Sequence, residues 1–341
     1  TTDPSDTFLE ALFSPQVKNQ ARCFLLGWGL FLFLACFDYH YLREWAWIFY
    51  GITVLLLLGL FFAPAIQNVH RWYRVPFIGM TLQPSEFAKL VVVISLAWYL
   101  EHKGKGASAL QIMFIVGIPF LLILKQPDLG TALVLYPITL VMGYFGNMHP
   151  NFTRLLSFGG IVILLFVALL FLGYLSHQKM KPFFTHFLKE YQYERLNPNT
   201  YHQKAAETAI AIGGVTGAGW HKSEFSSRQW LPAAHTDSVF AAYGEETGFM
   251  GMAFLLFLFY ALLYYSFQVT AAAKDHFGRL LASGISIYLS VHIIMNIAMM
   301  CGFLPITGVP LVLITYGGNS VLTTMAALGI LQSIYTRRFM F

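Results

Sequence analysis

A carboxylate stands at Asp237, where a long polar stretch gives way to an apolar run. His235 lies two residues before it, and Glu245 and Glu246 follow about two helical turns later. Ionisable groups at the edge of, or inside, an apolar run are expensive and point to function by default. A carboxylate beside an apolar cleft can be shifted toward neutrality, which is what a general base requires. The competing reading is local: Thr236-Asp237-Ser238 before an apolar run is also what a helix N-cap looks like, and on sequence grammar alone the cap is preferred. Gly244 and Gly248 are spaced to let a neighbouring helix approach closely.

Other polar groups fall at comparable places. Glu86 and Lys89 stand three apart, share a helical face and are expected to pair as a salt bridge turned into the bundle, with phosphate binding by Lys89 as the functional alternative. Asp128, followed by Gly130 and Thr131, reads as an N-cap in preference to a substrate or metal contact. Arg71-Trp72 joins a guanidinium to an interfacial aromatic, which suits a lipid head group or simple membrane anchoring. Lys179, Lys181, Lys189, Arg195, Lys204, Lys222 and Arg228 make residues 176–238 basic. Such a surface could receive a phosphate or pyrophosphate, but charge alone favours a solvated loop over anionic lipid. There is no nucleotide-binding glycine loop and no His-Glu-x-x-His zinc signature.

The elements that must position these groups are apolar helices. The chain is 57% hydrophobic and 11% charged, with a mean hydropathy of +0.61, against about 25% charged in soluble domains. Runs near 20–37, 45–63, 85–101, 108–124, 129–147, 155–175, 239–267, 279–300 and 312–335 are each long enough to cross a bilayer. The expected fold is an all-α polytopic membrane protein, one domain over 1–341 with nine spans and a long outer loop at 176–238. A soluble helical protein would need several such runs to pack with almost no polar outer face. Basic residues in the short loops (Arg43, Lys103, Lys105, Arg154, Lys274, Arg279, Arg337, Arg338) fall on one side, the cytoplasmic one by the positive-inside rule. Asp237, Arg71 and Asp128 then face outward, together with a Gly- and Pro-rich segment at 305–320. That segment is expected to be a re-entrant hairpin forming one wall of a site. Cys23, Cys36 and Cys301 read as buried hydrophobic thiols.

Six motifs, in order along nearly the whole chain, carry a resemblance. They are Arg71-Trp72 with Gln83-Pro84-Ser85-Glu86 and Lys89; Gln126-Pro127-Asp128 through Ala132; Ala209-Ile210 with Gly213-Gly214; Leu231-Pro232 with His235-Thr236-Asp237; Gly244-Glu245-Glu246 with Gly248; and Pro305 through Pro310 followed by Tyr316-Gly317-Gly318. The chain resembles the shape, elongation, division and sporulation (SEDS) membrane proteins, and its ending, Gly329 to Arg337, looks more like their rod-shape branch.

The resemblance implies a ten-helix glycosyltransferase of the bacterial inner (plasma) membrane, whose first helix this chain is expected to lack. Such proteins polymerise lipid II into glycan strands for cell elongation and cell shape. They work with a class B penicillin-binding protein and other elongation-complex membrane proteins, and no nucleic acid is involved. Asp237 matches the residue proposed to be catalytic in that family. By the same resemblance, Arg71, Glu86, Lys89, Asp128, Arg195, His235 and Thr236 are candidates to bind substrate. Basic groups, or a divalent cation such as magnesium or manganese, would stabilise the departing undecaprenyl pyrophosphate. The chain departs from the family at Ala205-Ala206, Gly217-Ala218-Gly219, Ala233, Thr315 and Asn319, which bears on fine contacts rather than class. Two other readings are a flippase for the same lipid, which needs a polar path through to the cytoplasmic side, and a non-catalytic scaffold for a transpeptidase.

Overall fold

The computed structural model describes residues 14–64, 69–74, 81–171, 174–175, 178, 181–182, 193–194, 197, 199–220 and 222–339. Among these, nine long helices coincide with the nine apolar runs: α1 (Pro15–Cys36), α2 (His40–Gly59), α3 (Pro84–Lys103), α4 (Ala109–Lys125), α5 (Leu129–Phe145), α6 (Pro150–Phe171), α9 (Val239–Ala272), α10 (His276–Met300) and α11 (Gly318–Arg337). Two helices of the outer region, α7 (Tyr201–Gly213) and the four-residue α8 (Glu224–Ser227), precede α9. A two-stranded hairpin, β1 (Tyr73–Arg74) with β2 (Thr81–Leu82), leads into α3.

Five of the helices are long and apolar enough to cross a membrane, and α4 and α5 are shorter apolar ones. The twenty-residue α3 and α11 are less apolar because they carry Ser85, Glu86, Lys89 and Ser95, and Ser320, Thr323, Thr324 and Ser333, all of them buried inside the bundle. The result is an all-α, multi-pass membrane protein with an inside-out distribution of polarity: large apolar side chains such as Leu25, Phe158 and Phe257 are exposed.

Helices α3, α5 and α10 form the centre, with Val93 and Met142 closing over Gly284 where the three meet. Several ends are fixed by side-chain caps. Ser14 accepts from Val17 N with Pro15 in the first turn of α1, Asp128 accepts from Thr131 N at the start of α5, and Asp275 accepts from Gly278 N at the start of α10.

Polar contacts gather at two ends. At the basic end, the Tyr39 hydroxyl donates to Asp275 Oδ1 (2.5 Å), Arg43 lies 3.6 Å from Glu101, and Arg337 bonds the carbonyls of Ala35 and Cys36. The opposite end holds Arg71, Asp128, Asp237 and the irregular segment 307–317. Of the thiols expected to be buried, only Cys23 is; Cys301 is partly exposed and Cys36 is exposed, because the bundle leaves the end of α1 uncovered.

The run at 239–267 is not one plain helix. At 34 residues, α9 would be ~51 Å long if straight, more than the roughly 30 Å of a hydrocarbon core, and it breaks at Gly248 (φ 65°, ψ −165°). The break frees backbone groups that must find partners, and residues 214–219 supply them. Phe249 N donates to Gly214 O (2.9 Å) and Met250 N to Val215 O (3.1 Å), while the carbonyls of Glu245 and Glu246 accept from Ala218 N (2.9 Å) and Gly219 N (3.0 Å). A Cβ on Gly248 would lie 2.3 Å from Gly217 N, so the glycine spacing admits a loop's backbone rather than the expected helix.

Candidate active site

Asp237 lies in a tight turn before α9, in which Ala233 O accepts from both Thr236 N (3.0 Å) and Ser238 N (3.1 Å). The cap position of α9 is Ser238, not Asp237, so the N-cap reading is corrected. Three consecutive carbonyls of the turn are held from below. Tyr316 N donates to His235 O (2.9 Å), Thr315 Oγ1 to Thr236 O (3.4 Å) and Asn296 Nδ2 to Asp237 O (3.0 Å). Asn296 is fully buried on α10, and its amide also donates to Val309 O (2.8 Å), which joins the turn to the irregular segment.

That segment is largely buried, with Ile314 exposed, and non-helical, as its Gly and Pro content predicts. Thr315 Oγ1 accepts from Leu311 N (2.7 Å), and Gln20 and Asn19 of α1 bond Thr315 O and the Tyr316 hydroxyl. Gly308, in the left-handed region at φ 82°, faces the carboxylate: a Cβ there would lie 3.3 Å from Asp237 Oδ2. With the backbone so committed, the side chains of Thr236 and Asp237 are partly exposed and that of His235 is exposed.

The two glutamates of α9 serve elsewhere. Glu245 is fully buried and accepts from Phe225 N (2.8 Å), Ser226 N (3.0 Å) and the Ser226 hydroxyl, while Glu246 accepts from Ser223 Oγ (3.3 Å). They anchor α8 to α9, the buried carboxylate satisfied by main-chain and hydroxyl donors.

Asp128 is buried, as the cap reading predicts. Its second oxygen accepts from Gln83 Nε2 (3.1 Å) and Ser85 Oγ (3.3 Å), and Trp72 Nε1 donates to Gln83 Oε1 (3.1 Å). Arg71 donates to the carbonyls of Gln126 and Pro127. This group holds the outer ends of α3 and α5 together, and the donors of Arg71 that bond are turned to the protein.

Glu86 and Lys89 pair at 2.8 Å, as expected, but both are sealed in the core rather than offered to a ligand. Lys89 Nζ also lies 2.9 Å from His292 Nε2, whose Nδ1 is 3.2 Å from Pro310 O. With Lys89 an ammonium, only the neutral Nδ1–H tautomer of His292 satisfies both contacts. Through it, the buried pair touches the segment that supports Asp237.

His292 and Asn296 were missed by sequence reasoning. Both sit in an apolar run, where the rule that flagged Glu245 applies equally to them. His202 was missed too: on α7, its Nε2 lies 2.7 Å from Ser238 Oγ, beside Asp237. Arg195 lies outside the described residues, as do Lys179 and Lys189. Of the remaining basic groups, Lys181 pairs with Glu194 (2.9 Å) and Arg228 with Glu224 (3.1 Å), while Lys204 and Lys222 are exposed. Among the described residues, no three His, Cys, Asp or Glu side chains come together as a metal-ligand set.

Residues 7–339 match the FtsW/RodA/SpoVE cell cycle protein family. The chain belongs to that family. Within it, the chain is 34% identical to the peptidoglycan glycosyltransferase MrdB of Helicobacter pylori, over 95% of this chain and 84% of that protein. It is 32% identical to MrdB of Escherichia coli K12, over 87% and 79%. Among solved structures, the rod shape determining protein RodA of Thermus thermophilus superposes with a TM-score of 0.69 at 26% identity, covering 96% of this chain and 89% of that one. A chain from a study of how a peptidoglycan synthase complex coordinates polymerization and crosslinking gives 0.75 at 28% identity, covering 97% and 92%. The match covers all nine long helices among the described residues and the ordered motifs along them.

Proposed function

We propose that this peptidoglycan glycosyltransferase of cell elongation polymerises lipid II, with Asp237 as general base. The observation that carries the reading is the turn at 233–238, where three carbonyls are pinned and a carboxylate is left partly exposed at the end opposite the basic loops. In the proposed step, Asp237 takes the proton of the acceptor sugar's 4-hydroxyl. That oxygen attacks the anomeric carbon of the donor, the bond to undecaprenyl pyrophosphate breaks with inversion, and the proton passes from Asp237 to water. A positioned base of this kind is worth roughly 10²–10⁴ in rate. The exposed Lys204 and Lys222 of the outer region are suited to the leaving pyrophosphate.

A lipid-linked substrate keeps its tail in the bilayer and its sugars outside, which a carboxylate at the outer helix ends accommodates. A flippase needs a polar route onward to the basic end. Below the Glu86–Lys89–His292 cluster, the apolar side chains of Val93 and Met142 pack over Gly284, and this favours polymerisation. The working partner in this reading is a class B penicillin-binding protein, and the location is the bacterial inner membrane. Similarity to a chain of a peptidoglycan synthase complex supports the partner.

The test is to give lipid II to the purified protein with its transpeptidase partner and resolve glycan chains on a gel. Wild type makes product, and Asp237→Ala loses at least about 100-fold of the rate. Equal product from both would remove Asp237 from its role.

A further inference from the structure

At the end opposite Asp237, an open groove of about 880 Å³ lies between the end of α5, the start of α6 and the Gly104–Gly106 turn. Lys105, Tyr144, His149, Arg154, Phe158 and Ile161 are among its lining residues. We propose that this groove binds an anionic phospholipid of the surrounding bilayer, its phosphodiester on Lys105 and Arg154 and an acyl chain along α6. The proposal does not depend on the reading of Asp237.

The groove holds two of the uncompensated cations of this end and joins them to an apolar wall. At the same end, Arg43 is paired with Glu101, Arg337 lies 4.0 Å from Asp38, and Arg338 stacks on Tyr335. Among the described residues, Lys105 and Arg154 have no ion-pair partner, and both are exposed.

The shape selects a lipid over a soluble anion. Arg154, Phe158 and Ile161 stand at i, i+4 and i+7, so they form one stripe of α6. Phe158 and Ile161 are 66% and 63% exposed. The stripe carries an apolar wall about 10 Å along the helix from the cation, which suits the first part of an acyl chain and is of no use to free phosphate.

Helix α6 also leaves room for such a ligand. Only Leu170 is buried along its 22 residues, and the Tyr136 hydroxyl ties it to the bundle through Leu156 O, next to the point where the Tyr136 ring packs on Gly160. On the basic side of that contact, the space between α5 and α6 is the groove.

The test is native mass spectrometry of the full chain in detergent, titrated with phosphatidylglycerol or phosphatidylcholine. Wild type is expected to retain phosphatidylglycerol selectively, and Lys105→Gln with Arg154→Gln to weaken retention about 25-fold, roughly fivefold per cation. Lys274→Gln with Arg279→Gln, exposed cations of the same end outside the groove, should leave it unchanged. Equal retention of the two lipids, or an equal loss in the control pair, would overturn the proposal. Should the groove variant fail to fold, photoactivatable phosphatidylglycerol on wild type decides: labelling at residues 144–161 supports the site, and labelling spread over all helices refutes it.

Discussion

Around Asp237, hydrogen bonds from α10 and the irregular segment converge on main-chain carbonyls; around Lys89, they join side chains. In the outer turn, the carbonyls of His235, Thr236 and Asp237 are each held, while the side chains of those residues keep exposure. In the core cluster the backbone is ordinary helix, and Lys89 Nζ is shared between Glu86 Oε1 and His292, while Glu86 Oε2 is buried without a hydrogen-bond partner. Both regions contain ionisable groups at membrane-protein depth, and residue type alone does not separate them. What separates them is exposure: Asp237 is partly exposed, whereas Glu86 and Lys89 are buried. The two meet on one turn of α10, where His292 serves the cluster and Asn296 serves the turn.

Substitutions at Asp237 and Lys89 should have opposite effects. Asp237→Asn should lower kcat by about 10²–10⁴ and leave the thermal midpoint within the spread of ordinary surface changes. Lys89→Ala should do the reverse first: it leaves Glu86 as an uncompensated buried charge, costing about 3–5 kcal/mol, read as a fall in thermal midpoint in detergent. If Lys89→Ala folded normally yet made no glycan, the cluster would belong to the chemistry and the division would fail.

Much of this architecture was legible from hydropathy, because a bilayer demands long apolar helices and the nine runs supply them. The Glu86–Lys89 pair was legible as well, since helical spacing alone puts the two on one face. The break at Gly248 was not: a glycine in an apolar run also reads as a packing site, and what makes it a break is bonding by residues 214–219, distant in sequence. Asp237 was hard for the opposite reason. A cap and a general base share the same local grammar, and what the sequence could not show is that the cap position falls on Ser238 while Asn296, Thr315 and Tyr316 hold the carbonyls of the turn. His292 and Asn296 were hidden because a hydropathy average absorbs a lone polar residue.

Gly308→Ala sharpens the comparison within the outer region. At φ 82° a side chain strains the backbone by about 1–2 kcal/mol, and the new methyl would sit 3.3 Å from Asp237 Oδ2. A displaced base loses rate even when binding persists, so kcat should fall roughly 10- to 100-fold with little change in KM. The thermal midpoint in detergent and the folded fraction separate this from simple destabilisation, which would lower the apparent kcat in the same way by reducing the amount of active protein. An unchanged kcat would mean that Gly308 does not shape the carboxylate's position.

The smallest effect is expected farthest from the site, at Asp38 between α1 and α2. Burial raises this carboxyl's affinity for protons, but the His40 backbone N–H and ring and the Arg337 guanidinium outweigh it and hold the group below the usual carboxylate range. A carboxyl held low in the folded state favours folding while it is ionised. Its contribution is therefore present above the unfolded value near 3.9 and is lost as pH falls through the folded one. The side chain is 33% exposed, so the contribution should be under about 1 kcal/mol. Asp38→Asn should accordingly flatten the acid limb of the thermal midpoint below about pH 4 and leave polymerisation at neutral pH unchanged. A loss of activity at neutral pH would show instead that the basic end communicates with the turn at Asp237, and that the two ends are not independent.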